Sequence, residues 1–512
     1  MNDGKRTMSN TFHPVDVNHP LLPEKAREFQ MFINGKWTTG HSSESFVRKS
    51  PAHDIVVSIY PAGTVEDVDE AVKAARDAFD CGKWSRISGA ARAAVLLKTA
   101  QLIRENLAEL ALLETLETGK PIAQSRGEIQ GAADIWEYAA GLARSINGDS
   151  FNNLGDNMLG LVTREPIGVV GVITPWNFPF FIGAERYPYI LAAGCTLVAK
   201  AAEITSGTTL LLAGILKEAG LPDGVFNVVT GSGSVVGQRI TEHVDIDMVS
   251  FTGSTAVGQM ALHASAKNIK RLGLELGGKN PQVVFADADI DAALDGTLFG
   301  FLFNTGQCCV SGSRLLVERS IHKDFCQKLV ERAQKVRSGD PLNESTQIGA
   351  IVTEKHYQTV LGYIEQGKNE GATLLTGGKA VPTGNGLFIE PTIFDDVTPE
   401  MTIFREEIFG PVLCVTPFDS YEEAIGIAND TCYGLAASIW TSNLDKAVQG
   451  FRDLKAGRLW VNTTIAGGPE LPSGGFKQSG IGRESGSYGL DEYTEIKSVH
   501  IQLGKRAKWL AE

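Results

Sequence analysis

The chain has 512 residues, 43% hydrophobic and 21% charged, with a formal net charge of −13 and a pI near 5.3. That length exceeds what one hydrophobic core serves, so two or three domains are expected, and the acidic balance argues against nucleic acid or an anionic membrane surface as partner. Seven cysteines, an odd number in so long a chain, make no disulfide framework and suit a reducing, cytoplasmic setting.

The first thirty residues are polar and irregular and read as a poorly packed arm, with no apolar core after the early charges to make a secretory signal. Thr64 opens a helix: Val65, Val68, Val72, Ala75 and Phe79 recur at helical spacing, and Thr64 with Asp67 resembles a capping pair. A longer helical stretch is predicted over 92–116. The uncharged run from Pro166 to Ala184 has the length of a membrane span, but its three prolines and three glycines would break a lipid-facing helix. It reads instead as a buried strand and a loop. Segments 168–174, 195–200, 225–230 and 248–251 are predicted as buried strands, with a helix over 206–218 between them. A second alternating region begins at Pro281 and continues through a strand at 313–317, a helix at 323–336 and a strand at 436–440. Such alternation implies an α/β fold with parallel sheets covered on both faces. Residues 499–503 alternate strictly, as a half-exposed strand does, and suit pairing across a subunit boundary.

Two segments hold the parts of covalent catalysis. Cys308 and Cys309 sit in a Gly-rich turn, Phe303-Asn-Thr-Gly-Gln-Cys-Cys-Val310, and Glu275 precedes two glycines in Glu-Leu-Gly-Gly-Lys279. A thiol can be the nucleophile and a carboxylate the base that discharges the intermediate. Asn177, between Trp176 and Phe178 and flanked by prolines, is a rigid amide donor suited to an oxyanion. Gly253 and Gly258 lie in a turn that follows one strand and opens a helix, whose N-terminus can receive a pyrophosphate. Lys200 and Glu203 stand where ribose hydroxyls would be held. Each feature alone is more often an ordinary turn, loop pair or packed thiol.

Taken together, these segments resemble the aldehyde dehydrogenase superfamily, from Phe32-Ile-Asn-Gly-Lys-Trp37 to Gly475-Phe-Lys-Gln-Ser-Gly480, nearly the whole chain. The resemblance implies a Rossmann-like NAD-binding domain (31–145 and 166–276), an α/β catalytic domain (277–480) and a small β oligomerisation element (146–165 and 487–512). It implies that Cys309, 34 positions after Glu275 (309 − 275), is the nucleophile. Asn177 would serve the oxyanion and Glu275 would activate the hydrolytic water. Thr174, Trp176, Lys200, Glu203, Gly253, Ser254, Gly258, Glu407 and Phe409 would hold NAD. Glu203 favours a free 2′-hydroxyl, hence NAD over NADP. A homodimer or homotetramer is implied, no metal is expected, and Cys81, Cys195, Cys326, Cys414 and Cys432 are read as structural. Ala201, Ala256 and Ser311 depart from the family's usual residues.

Phe178, Glu185, Phe303, Cys308, Val310, Gly467 and Ser473 would line the aldehyde tunnel, with Gly467 and Ser473 standing where aromatic rings line it in enzymes for simple aliphatic aldehydes. Succinic-semialdehyde enzymes resemble one another in placing an arginine where this chain has Glu185. A polar neutral, cationic or bulky aldehyde is therefore expected, unless Glu185 and Arg186 merely pair. Three rivals stand beside this reading. A coenzyme A-acylating relative typically lacks the hydrolytic glutamate, and a nonenzymatic NAD-binding member would be expected to lose Cys309 or Asn177. A thiol redox protein is disfavoured because adjacent cysteines close a strained ring.

Overall fold

The computed structural model describes residues 11–384, 386–506 and 509–510. Its centre is an eight-stranded sheet in the order Gly480–Ile481, Arg271–Glu275, Met248–Thr252, Val169–Ile173, Thr196–Lys200, Phe226–Val228, Met31–Ile33 and Lys36–Thr38. Its five middle strands, Arg271–Glu275 to Phe226–Val228, are parallel, as strand-helix alternation requires. Side chains leave a strand on alternate faces. Val170 and Val172 accordingly join Leu96, Ile129 and Trp136 in one core, while Val169 and Ile173 join Val68 and Val72 in the other. Both faces are thus buried, and the near-continuous apolar strands follow from that.

A second sheet of seven strands runs Thr373–Thr376, Thr392–Asp395, Val412–Phe418, Arg314–Glu318, Pro281–Val284, Ala436–Trp440 and Arg458–Val461. Only its first strand is antiparallel. The helix His322–Ala333 lays Phe325 and Leu329 over Leu315 and Val317 of this sheet. A separate antiparallel sheet joins Asp149–Phe151, Met158–Pro166 and Thr494–Gln502.

Several elements differ from the sequence reading. The Thr64–Asp67 capping box is present. The predicted helix over 92–116 is two, Gly89–Glu105 and Leu107–Thr118, broken at Asn106, whose side chain donates to Leu102 O (2.9 Å) and competes with the helical ladder. The arm is partly tied down: Phe12–His13 pairs with Ser338–Gly339 and Arg27–Glu28 with Val56–Pro61, while residues 1–10 lie outside the described residues. The late strand has a partner in its own chain, pairing with Met158–Pro166 over all nine residues, and it is mostly exposed rather than half-exposed. Past the expected boundary at 480, Gly480–Ile481 pairs with the strand Arg271–Glu275. Among the described residues no helix is long and apolar enough to cross a membrane.

Candidate active site

The helix Ile290–Leu302 ends in three consecutive left-handed residues, Asn304 (φ 52°), Thr305 (φ 58°) and Gly306 (φ 74°). A side chain at 306 would put its Cβ 2.1 Å from Gly410 O, so only glycine fits there. The two non-glycine residues carry roughly 1–2 kcal/mol of strain each, and side-chain bonds offset it. Asn304 Nδ2 donates to Asn177 O and Gln307 O (both 3.0 Å), and Thr305 Oγ1 accepts from Gly349 N (3.0 Å). Gln307 Oε1 accepts from Val352 N (2.9 Å). The loop that delivers Cys308 and Cys309 is therefore clamped rather than free. Beyond it, Asn280 Nδ2 donates to both Cys309 O (2.8 Å) and Ser311 O (2.9 Å). A Cβ on Gly278 would lie 2.6 Å from Cys309 O, which is why the backbone after Glu275 can pass so close to Cys309.

A cavity of roughly 470 Å³ opens onto this loop. Its walls bring together every tunnel residue expected from the sequence, Phe178, Glu185, Phe303, Cys308, Val310, Gly467 and Ser473, with Cys309 and Glu275. Phe178 and Phe303 stack at 5.6 Å. Asn177 is buried beside the cavity, where its Nδ2 donates to Gln307 O (3.2 Å), fixing the amide while leaving one N–H to give. Glu275 ends its strand with Oε1 buried and without a hydrogen-bond partner. Burial pushes its carboxyl well above the usual range; Arg186 opposes this, and Glu484, Cys309 and Glu185 add to it. The Cys309 thiol is also pushed well up, first by its hydrogen bond with Cys308 and then by burial.

Sequence reasoning missed Phe181, Ile182 and Arg458, which share the cavity wall. The first two had a signal: with Phe178 and Glu185 they form an i, i+3, i+4, i+7 stripe on the short helix Pro179–Ala184. The alternative in which Glu185 and Arg186 merely pair is not what the structure holds. Arg186 turns inward, its Nε donating to Ser250 Oγ (3.0 Å) and lying 3.4 Å from Glu484 Oε1. Burial raises the Glu185 carboxyl, with Arg186 and Arg458 opposing at longer range. Arg458 itself donates to Ser473 Oγ (3.3 Å).

Other residues expected in the site gather at the carboxyl ends of the parallel strands. Thr174 lies just past Val169–Ile173, its N–H donating to Lys200 O (3.1 Å). Lys200 ends the next strand, buried, with Nζ donating to Glu203 Oε2 (3.4 Å), while Glu203 stands half in solvent. Gly253 leads to Ser254, the N-cap of the eleven-residue helix Thr255–Ser265, with Ser254 Oγ accepting from Val257 N (3.4 Å). At Gly258 a Cβ would come 2.6 Å from Leu276, so glycine there permits close packing of the helix. Trp176 stands edge-on to Phe409 (5.4 Å), and His356 completes the cluster, its Nε2 2.7 Å from Phe409 O. His356 lay in no motif. Glu407 accepts from Gly278 N (3.0 Å), and burial raises its carboxyl to about 7.

A cysteine and a buried glutamate thus line one cavity of an α/β protein, an arrangement that an enzyme can use. The sequence matches the model of the aldehyde dehydrogenase family over residues 37–499. The NAD-dependent aldehyde dehydrogenase of Sinorhizobium meliloti superposes with a TM-score of 0.97 at 51% identity, covering 98% of this chain and 100% of that one. The NAD+ complex of an aldehyde dehydrogenase from Bacillus cereus does so at 0.92 and 44%, covering 93% and 97%. Betaine aldehyde dehydrogenase of Bacillus subtilis is 42% identical over 473 residues, 92% of this chain and 96% of its own length. The chain belongs to the aldehyde dehydrogenase family.

Proposed function

We propose that the protein oxidises an aldehyde to its carboxylic acid with NAD, through a covalent intermediate on Cys309. The observation that carries this reading is the shared cavity of Cys309 and Glu275, with the Asn177 amide alongside. The residues at the strand ends fit NAD: Lys200 and Glu203 offer a donor and an acceptor to vicinal hydroxyls, and the helix capped by Ser254 offers N–H groups to a pyrophosphate. Thr174 Oγ1 and Thr255 Oγ1 are buried there without partners, as groups awaiting a ligand would be. Glu407 and Phe409 would hold the nicotinamide end, and Glu203 disfavours NADP. When bound, NAD supplies the hydride acceptor.

Cys309 Sγ, as thiolate, attacks the carbonyl carbon. The resulting oxyanion takes the free N–H of Asn177 Nδ2 and the backbone N–H of Cys309. Its collapse releases hydride and leaves a thioester on Cys309. Glu275, through its unpaired carboxylate, takes a proton from water, and that water attacks the thioester to give the acid and restore the thiolate. A carboxylate in that position supports hydrolysis over acyl transfer to coenzyme A. Asn177→Ala is expected to lower kcat by about 10²–10³-fold, the usual cost of one lost oxyanion donor. Steady-state NADH formation checks this, and unchanged kcat would remove Asn177 from the mechanism.

The substrate reading rests on Glu185. Its carboxyl faces the cavity, and the adjacent arginine is engaged elsewhere, which supports a cationic or polar neutral aldehyde over a carboxylated one. The betaine aldehyde dehydrogenase relative, named for a quaternary-ammonium aldehyde, points the same way. Betaine aldehyde should exceed succinic semialdehyde in kcat/KM, and Glu185→Gln should cut the betaine aldehyde value about 10-fold or more with little effect on acetaldehyde. Because the Glu185 pKa is raised, its charge appears as pH rises, so the preference for the cation should grow with pH. A faster reaction with succinic semialdehyde would overturn this assignment.

We read the eight-stranded sheet with its helices as the NAD-binding domain and the seven-stranded sheet as the catalytic domain. The exposed face and open edges of the Asp149–Phe151, Met158–Pro166, Thr494–Gln502 sheet support a homodimer or homotetramer. Seven free cysteines support a cytoplasmic setting.

A further inference from the structure

A cluster of metal-ligating side chains lies outside the active site. His322 and Cys326 are one turn apart on the helix His322–Ala333, so both project from the same face. Asp395 ends the strand Thr392–Asp395, and the chain leaves it at once through Asp396 in a left-handed conformation (φ 54°). The three side chains are nearly buried, at 8%, 5% and 9% exposure, and their donor atoms all lie within 4.8 Å of one another. His322 Nε2 is 2.8 Å from Asp395 Oδ1. The other buried thiols outside the active site have backbone partners: Cys195 donates to Tyr493 O and Cys414 to Ile403 O. Cys326 faces an imidazole and a carboxylate instead.

We propose that His322, Cys326 and Asp395 form a binding site for a thiophilic divalent transition metal, zinc foremost. The donor set is the argument. One sulfur, one imidazole nitrogen and one carboxylate oxygen suit zinc or cobalt, whereas calcium and magnesium take oxygen ligands. Ligand atoms around tetrahedral zinc are about 3.3–3.8 Å apart, so the widest separation must close by about 1 Å, within the reach of side-chain rotation. Metal entry releases the Cys326 thiol proton to solvent and shifts the imidazole proton from Nε2 to Nδ1. Thiolate, carboxylate and neutral imidazole then balance the dication, and water takes the fourth position from the solvent side. None of the three residues lines the Cys309 cavity. The metal therefore ties a helix of the catalytic half to its sheet near one edge, and its effect is on stability.

Cobalt is the probe, added to the full-length protein. One equivalent should give a thiolate-to-cobalt charge-transfer band that persists in Cys309→Ser and is lost in Cys326→Ser. His322→Gln should weaken cobalt binding at least about tenfold, since even outer-shell partners of a metal site are worth 10–100-fold. Zinc should raise the thermal midpoint of Cys309→Ser in a concentration-dependent way. No band, or a band that survives Cys326→Ser, overturns the site. Should Cys326→Ser not fold, Asp395→Asn and His322→Gln decide: unchanged cobalt affinity in both, or a midpoint indifferent to zinc, overturns it equally.

Discussion

Cys309→Ala is expected to reduce NADH formation by roughly four orders of magnitude or more, the scale of losing a nucleophile, while Cys308→Ala stays within about tenfold of the parent. The two thiols are adjacent, yet their surroundings differ. Cys308 is buried and packs with Phe178, Ile182, Val310, Leu435 and Trp460. Cys309 is the more open of the two, and Asn280 Nδ2 donates to its carbonyl. The same contrast gives a second readout. The Cys308 hydrogen bond is the first cause holding the Cys309 thiol high, so removing it lowers that pKa. The thiolate then forms at lower pH, and the acid limb of the Cys308→Ala profile in kcat/KM should move downward. Activity that survives in Cys309→Ala and vanishes in Cys308→Ala would reverse the assignment.

Glu275→Gln should separate the two halves of the reaction. Thioester formation does not need the Glu275 carboxylate, so the variant should release about one NADH per active site in a rapid burst. Turnover should then slow by about 10²–10⁴-fold, the usual contribution of a general base. A steady state equal to the parent, with no burst, would mean that another group discharges the thioester. The pH dependence has a definite sign. Glu275 acts as a base only when ionised, and burial holds its pKa well above the usual value, so parental deacylation rises as pH climbs through that raised pKa. The variant should lack this rise. Stability runs the opposite way. Between the unfolded carboxyl pKa of about 4.3 and the raised folded one, the folded chain binds the extra proton, so stability falls as pH rises. Glu275→Gln should therefore melt no lower than the parent at neutral pH, a trade of stability for chemistry.

Much of this was legible along the chain because the signals are local. The strand at 169–173 and the capping box at Thr64 each show in residues a few positions apart. Features that hid were of two kinds. Some depend on distant partners: His356 reaches Phe409 across 53 positions and His322 meets Asp395 across 73, distances over which no spacing rule operates. Others depend on which way a side chain turns. Arg186 next to Glu185 reads as a pair in sequence, but Ser250 and Glu484 in the interior supply hydrogen bonds and charge that Glu185, facing the cavity, does not. The break at Asn106 belongs to the same class, since one side-chain bond to Leu102 decides it against a helical pattern that continues on both sides.

The seven thiols are distributed unevenly. Cys81, at the end of the helix Val65–Asp80, and Cys432 are exposed, whereas Cys195, Cys308, Cys326 and Cys414 are buried and Cys309 lines the cavity. A maleimide carried on a solid support is too large to enter that cavity and would couple through Cys81 or Cys432. The enzyme could then be fixed to a surface in two defined orientations with Cys309 unmodified. A small soluble electrophile shaped like an aldehyde would find Cys309 instead.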